Sequence, residues 1–342
     1  MRLSAVVNCA AFVSMLSFAG AAGAATEPLR VSGPVTHENL SIYFIHGPSQ
    51  KGPVPLTLEE ALRDGKVQVR ETGNVNSLEI ENLGDQPVFV QAGDIVKGGK
   101  QDRTLTVSLL LPPKSGRMPI GSFCVEHGRW SPRAAENASK FDSAAAVVPS
   151  HEMKLAMQAP VPAAAPDRPG NEVGIRQRQV WDSVARTQHR LTTTLGGEVR
   201  AKISESSLQL ALENEKLLAA RDRYVKAMKA AGDKDDIVGF VFAINGKLNS
   251  GDVYPSHALF AKMWTKLLDA SATEAVGLRN QPAGEAPTMA MVDDFLAKAD
   301  AGKTSEQPLK FGMARVLSDA DAGYRVEARV AQGWVHRSYL AK

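Results

Sequence analysis

The chain has 342 residues, 44% hydrophobic and 23% charged, an ordinary balance for a globular protein. It excludes a disordered tail, a collagen-like repeat or a polytopic membrane protein. Lys+Arg 40 against Asp+Glu 37 leaves a net charge of +3, and aromatics are only 6%, so neither a polyanion field nor a stacking platform for single-stranded nucleic acid is expected.

Met1 to Ala25 reads as a secretory signal. Arg2 is the positive start, Leu3 to Phe18 is mostly apolar, and Ala22-Gly23-Ala24 is an A-x-A cleavage pattern. The expected location is therefore periplasmic or secreted, with no stable membrane insertion after cleavage. Removal takes Cys9 and leaves Cys124 as the one thiol, which cannot form an intrachain disulfide. Cys124 is then a buried small residue, an intermolecular partner or a reactive thiol.

Residues 26–132 read as β-rich. Leu40, Ile42 and Phe44 alternate with Ser41 and Tyr43, and Val67, Val69, Leu78 and Ile80 repeat the period of two. Thr57-Leu58-Glu59-Glu60 is a capping box that opens a short helix. Thr104 to Leu111 predicts one strand stopped by Pro112-Pro113, and Ile120 to Glu126 another. Together these strands suggest a sandwich or curled sheet. Residues 133–170 are rich in Ala and Pro, most densely from Ala159 to Pro166, which suits a linker or an ordered flap, not a core element.

Residues 171–342 turn helical. Val180, Trp181 and Val184 begin one amphipathic pattern, and Leu217, Ala220, Tyr224 and Met228 mark a second. A third runs from Leu259 to Leu268 behind a Ser256 cap, and Thr288 to Ala299 is a further short helix. Ile237 to Ile244 reads as a buried strand ending at an Asn245-Gly246 turn, and Tyr324 to Leu340 returns to strand. His336-Arg337 is expected at a solvated strand end. The whole predicts one compact α+β protein, a β-rich N-terminal half packed against a helical C-terminal half.

Two segments concentrate polar chemistry: Gly93 to Arg103, and Cys124-Val125-Glu126-His127-Gly128-Arg129-Trp130. The first is not a phosphate loop, because one residue too many precedes Gly99-Lys100 and Gln101 replaces the hydroxyl residue that binds magnesium. On a Gln101–Leu111 strand, Gln101 and Arg103 share the apolar face, where a guanidinium needs an acid or an anionic ligand. Glu126 is the candidate partner for Arg103 or Arg129. Lys97, Lys100, Gln101, Arg103 and Arg129 are then candidate ligand-binding residues for a phosphate or carboxylate. Glu126 is the candidate acid or base, and Cys124 is a candidate nucleophile if a base or cation lowers its pKa. No diagnostic metal-ligand spacing occurs, and the sequence leaves the cofactor unknown.

Gly98-Gly99-Lys100-Gln101-Asp102-Arg103 together with Cys124 to Trp130 resembles the ARG-and-rhodanese-phosphatase-superfamily-associated protein domain family. Val180-Trp181, Gly239 to Lys247 and the Trp334 to Leu340 ending support the resemblance over most of the chain. The family's association with ADP-ribosylglycohydrolases and with rhodanese- and phosphatase-type proteins implies nucleotide or ADP-ribose chemistry. The leading expectation is an exported protein that binds, and hydrolyses if Glu126 transfers a proton, a small anionic, phosphate- or nucleotide-like ligand. The alternative is a non-catalytic structural or interaction protein whose polar motifs form a buried network.

Overall fold

The computed structural model describes residues 29–133, 136–161, 172–331 and 333–342. The expected signal segment and the proline-dense residues 162–166 lie outside them. The fold is α+β. Among the described residues every helix but Leu58–Arg63 follows residue 150.

The largest sheet has eight antiparallel strands among the described residues. In spatial order they are Arg30–His37, Leu40–His46, Ile237–Ile244, Lys247–Val253, Gly333–Ala341, Gly323–Val330, Ala314–Ala320 and Lys303–Pro308. The Ile237 hairpin closes at Asn245 and Gly246, both with positive φ (53° and 80°), which matches the right-handed twist of the strands it joins. The alternation at Leu40 to Ile45 has an apolar set on each face. Leu40, Ile42 and Phe44 join the core under the helices His257–Leu278 and Glu215–Met228. Tyr43 and Ile45 join a second core under the helix Met289–Asp300. Burial on both faces explains why this strand carries almost no charge.

A six-stranded sheet runs in the order Phe141–Val147, Asp94–Gly98, Arg103–Leu105, Met118–Cys124, Ser77–Asn82 and Val67–Asn74. A small third sheet joins Leu56–Thr57, Val88–Val90 and Leu109–Leu111. Two sequence expectations change here. The run Thr104–Leu111 is not one strand: Thr106, Val107 and Ser108 carry the chain from the six-stranded sheet into the small one. Val125 and Glu126 lie beyond the Met118–Cys124 strand, and Glu126 bridges Ser207 instead.

The Ala/Pro-rich stretch is also more than a connection. It supplies the Phe141–Val147 strand and the helix His151–Gln158, whose Met153 and Met157 enter the main core. The physical reason is local: the prolines cluster after Gln158, so the residues before them remain free to pair and coil.

Most helix boundaries follow their caps. Thr57 accepts from the Glu60 N–H and Glu60 reaches back to the Thr57 N–H, as the capping box requires. Ser256 caps His257–Leu278, and Thr288 caps Met289–Asp300. Among the described residues no helix is long and apolar enough to cross a membrane.

Candidate functional site

The turn after the Asp94–Gly98 strand needs glycine. Gly99 has φ +56°, and a Cβ there would run into the Phe141 ring. The turn delivers Asp102 to the end of the Met118–Cys124 strand, where Glu126 waits. The Asp102 N–H donates to Glu126 Oε2 at 3.0 Å, and Gln101 Nε2 donates to the Glu126 carbonyl at 2.9 Å. The two polar segments therefore meet, as their charges suggest.

Two arginines fill the space between them. Arg129 Nη2 lies 2.6 Å from Glu126 Oε2. Arg133 donates to both Asp102 oxygens, at 2.7 and 2.9 Å, and Glu136 holds the outer side of the same guanidinium at 2.9 Å. Ser207 donates to Asp102 at 2.9 Å and Ser204 donates to Glu126. Asp102 and Glu126 are 0% exposed and Arg133 is 5% exposed. This network pairs both buried carboxylates with cations, which is how buried charge is normally tolerated, and it leaves Arg129 Nε without a hydrogen-bond partner among the described residues.

The two acids respond differently to it. Burial opposes the charge on Glu126, but the Arg129 contact, the Ser204 hydroxyl and the Asp102 N–H hold its carboxyl below the usual range. Burial and the neighbouring Glu126 charge push Asp102 up in spite of Arg133. Burial also works against the Arg133 charge, but Glu136 and Asp102 hold it firmly protonated.

Beside the network lies an open cleft of about 460 Å³. Its wall is one face of the helix Glu172–Leu195, carrying Arg178, Trp181, Asp182, Ala185 and Gln188. His127, Arg200, Glu205 and Ser206 face them. The His127 and Trp181 rings meet edge to face at 4.4 Å. Cleft and network share a frame. Gln177 exchanges two 2.9 Å hydrogen bonds with the Cys124 backbone, and Gln188 donates to the Ser207 carbonyl at 3.1 Å.

Residues 28–340 match the model of the family described as the ARG and Rhodanese-Phosphatase-superfamily-associated Protein domain. The chain belongs to that family. No curated protein and no solved structure matches it.

In this family member the predicted site residues separate into distinct settings. Arg103 does not pair with Glu126. Its guanidinium is 0% exposed, donates to the carbonyls of Val75 and Gln101, and lies 3.6 Å from Glu71. Lys97 leaves the site to grip both Glu213 oxygens at 2.7 and 2.8 Å. Lys100 sits 4.9 Å from the Trp130 ring centre. Gln101 and Arg129 are in the network, with their donors turned inward.

Cys124 is fully buried, and burial pushes its thiol up to about 11, so it is a neutral thiol at physiological pH and a packing residue. His336 also departs from its expected solvated strand end. It is 2% exposed, within the Gly333–Ala341 strand.

Sequence reasoning missed Arg133, Ser204 and Ser207. Arg133 falls in the Ala/Pro-rich stretch, and the serines stand in a turn with no motif of their own. The one available signal was charge: two buried acids facing one usable arginine call for a second cation.

Proposed function

We propose that this chain is an exported, ligand-binding protein in which the Asp102–Glu126–Arg129–Arg133 network is a structural clamp and the ligand seat is the adjoining cleft at Trp181. Export rests on the Met1–Ala25 segment, and N-terminal sequencing of exported protein is expected to find a start near Thr26. The observation that carries the ligand seat is the open cleft of about 460 Å³, a size suited to a small molecule.

Its chemistry favours a ring-bearing anion. Trp181 and His127 offer ring surface, and Arg178, which makes no ion pair among the described residues, offers an exposed guanidinium. Asp182 and Glu205 balance the cleft's two arginines, and Arg200 already holds Glu198 at 2.7 Å. The seat therefore suits one anionic group better than a polyphosphate. Glu126 has no oxygen to spare: Arg129, Arg133, Ser204 and the Asp102 N–H take both. Binding, not proton transfer by Glu126, is the reading this supports.

Titration calorimetry with AMP, ADP-ribose and inorganic phosphate tests it. AMP is expected to bind more tightly than phosphate, because phosphate forgoes the ring contact. Arg178→Ala is expected to weaken AMP by about tenfold, or ~1.4 kcal/mol, with an unchanged melting temperature because Arg178 is exposed. No binding of any of the three at millimolar concentration, or an Arg178→Ala variant with full affinity, refutes the cleft as the seat.

A further inference from the structure

A second polar chain joins the eight-stranded sheet to the Thr106–Ser108 segment. His336 and Asp252 stand on neighbouring strands of the eight-stranded sheet, brought to one face by the register Asp252 opposite Ser338. His336 Nε2 lies 3.0 Å from Asp252 Oδ1. His336 Nδ1 lies 2.9 Å from the hydroxyl of Ser108, in the segment that crosses between the two smaller sheets. We propose that Ser108, His336 and Asp252 form a serine–histidine–aspartate acyl-transfer site for small carboxylic esters.

The hydrogen-bond pattern fixes the direction of proton flow. Asp252 is buried yet stays ionised, since the His336 hydrogen bond, the Lys154 charge and the Ser338 hydroxyl outweigh its burial. An ionised Asp252 accepts from Nε2–H, so Nδ1 carries the lone pair and accepts from the Ser108 hydroxyl. The Ala92 N–H donates to the same Ser108 oxygen at 2.9 Å, which favours negative charge there. The imidazole is held in place by Tyr254, at 5.1 Å between ring centres, and by Phe89, at 5.8 Å. A nucleophile, a base and an orienting carboxylate are thus in hydrogen-bond reach of one another, the geometry on which such sites are recognised.

Access comes from the same side. Ser108 lines a small cavity of about 10 Å³, close to the room one water needs. That cavity shares Thr106, Val107 and Arg315 with a groove of about 700 Å³. Leu109, Ile120 and Phe123 give the groove apolar lining beside the charged Glu172, Arg176 and Lys310, so the acyl group it suits is a short hydrocarbon chain.

In the reaction, the Ser108 oxygen bonds to the ester carbonyl carbon as its proton passes to His336 Nδ1. The carbon–alkoxy bond breaks, and the leaving oxygen takes that proton and departs as the alcohol. Water then attacks the acyl-serine, giving a proton to His336, which returns it to Ser108 as the carboxylic acid leaves. Asp252 remains ionised throughout and stabilises the imidazolium.

A short-chain alkyl fluorophosphonate tests the site on the whole chain. The expected result is one covalent adduct per folded molecule, mapped by mass spectrometry to Ser108. It is expected to disappear in Ser108→Ala and to slow at least a hundredfold in His336→Gln. Hydrolysis of p-nitrophenyl butyrate is expected to follow the same order. Wild-type protein that is folded but unlabelled, an adduct on another residue, or labelling of Ser108 at full rate in a folded His336→Gln variant would overturn the proposal.

Discussion

Arg133→Met is expected to lower folding stability by about 3–5 kcal/mol, the penalty for leaving buried carboxylates without their cation. Asp102 loses a guanidinium that donates to both of its oxygens, and Glu126 loses a neighbour at 3.4 Å. Arg129 cannot replace it, because its Nη2 is 3.7 Å from Asp102 and committed to Glu126 at 2.6 Å. A methionine of similar reach fills the volume but supplies no donor. At a few degrees per kcal/mol, the melting temperature is expected to fall by roughly 10 °C. Circular dichroism or calorimetry measures it.

The same pairing predicts a partial rescue. Asp102→Asn in the Arg133→Met background removes one of the stranded charges, so the double variant is expected to be more stable than Arg133→Met alone. A residue that served only to hold a ligand would behave in the opposite way, since its loss often leaves stability unchanged or improved. A melting temperature within a degree or two of the parent protein would refute the clamp and make Arg133 a candidate ligand-binding group.

How much of this was legible in the sequence depends on the range of each interaction. The Thr57 capping box, the Ser256 cap and the Asn245-Gly246 turn are local, and they appear where the residue pattern puts them. The pairing of Glu126 with Arg129 was legible at one remove, because charged residues at strand ends need partners. The break at Thr106 to Ser108 was not, since a continuous run of β-branched and apolar residues suits one long strand or two short ones equally well. Arg133 meets Ser207 across 74 positions, and His336 meets Ser108 across 228. Those contacts follow from sheet order and register, which no local pattern carries. The eight-stranded sheet shows the same limit: its order sets Leu40–His46 beside Ile237–Ile244, so residues nearly two hundred positions apart share one core.

Stability is also expected to fall as the pH drops from 6.5 towards 4, because of His151. Its imidazole sits at the first turn of the helix His151–Gln158, with Nε2 3.0 Å from the Ala341 carbonyl. Burial, then the Lys154 charge, pushes it down from the ordinary 6.5 to about 4. The positive end of the helix works in the same direction. The folded state therefore keeps His151 neutral at a pH where the unfolded chain has already bound the proton. Protons bind more tightly to the unfolded state, so stability rises with pH through this window and is fully present above 6.5. The displacement corresponds to about 3 kcal/mol lost by pH 4. Carboxylates held below their ordinary range, such as Glu126 and Glu152, add acid loss of their own, but only below about 4.5. His151→Gln keeps a donor for the Ala341 carbonyl and cannot titrate. Urea denaturation at pH 7, 6, 5 and 4.5 is expected to show the parent protein losing stability relative to the variant at each step. Parallel profiles would mean that His151 takes up its proton equally well in both states, which its enclosure beside Lys154 does not permit.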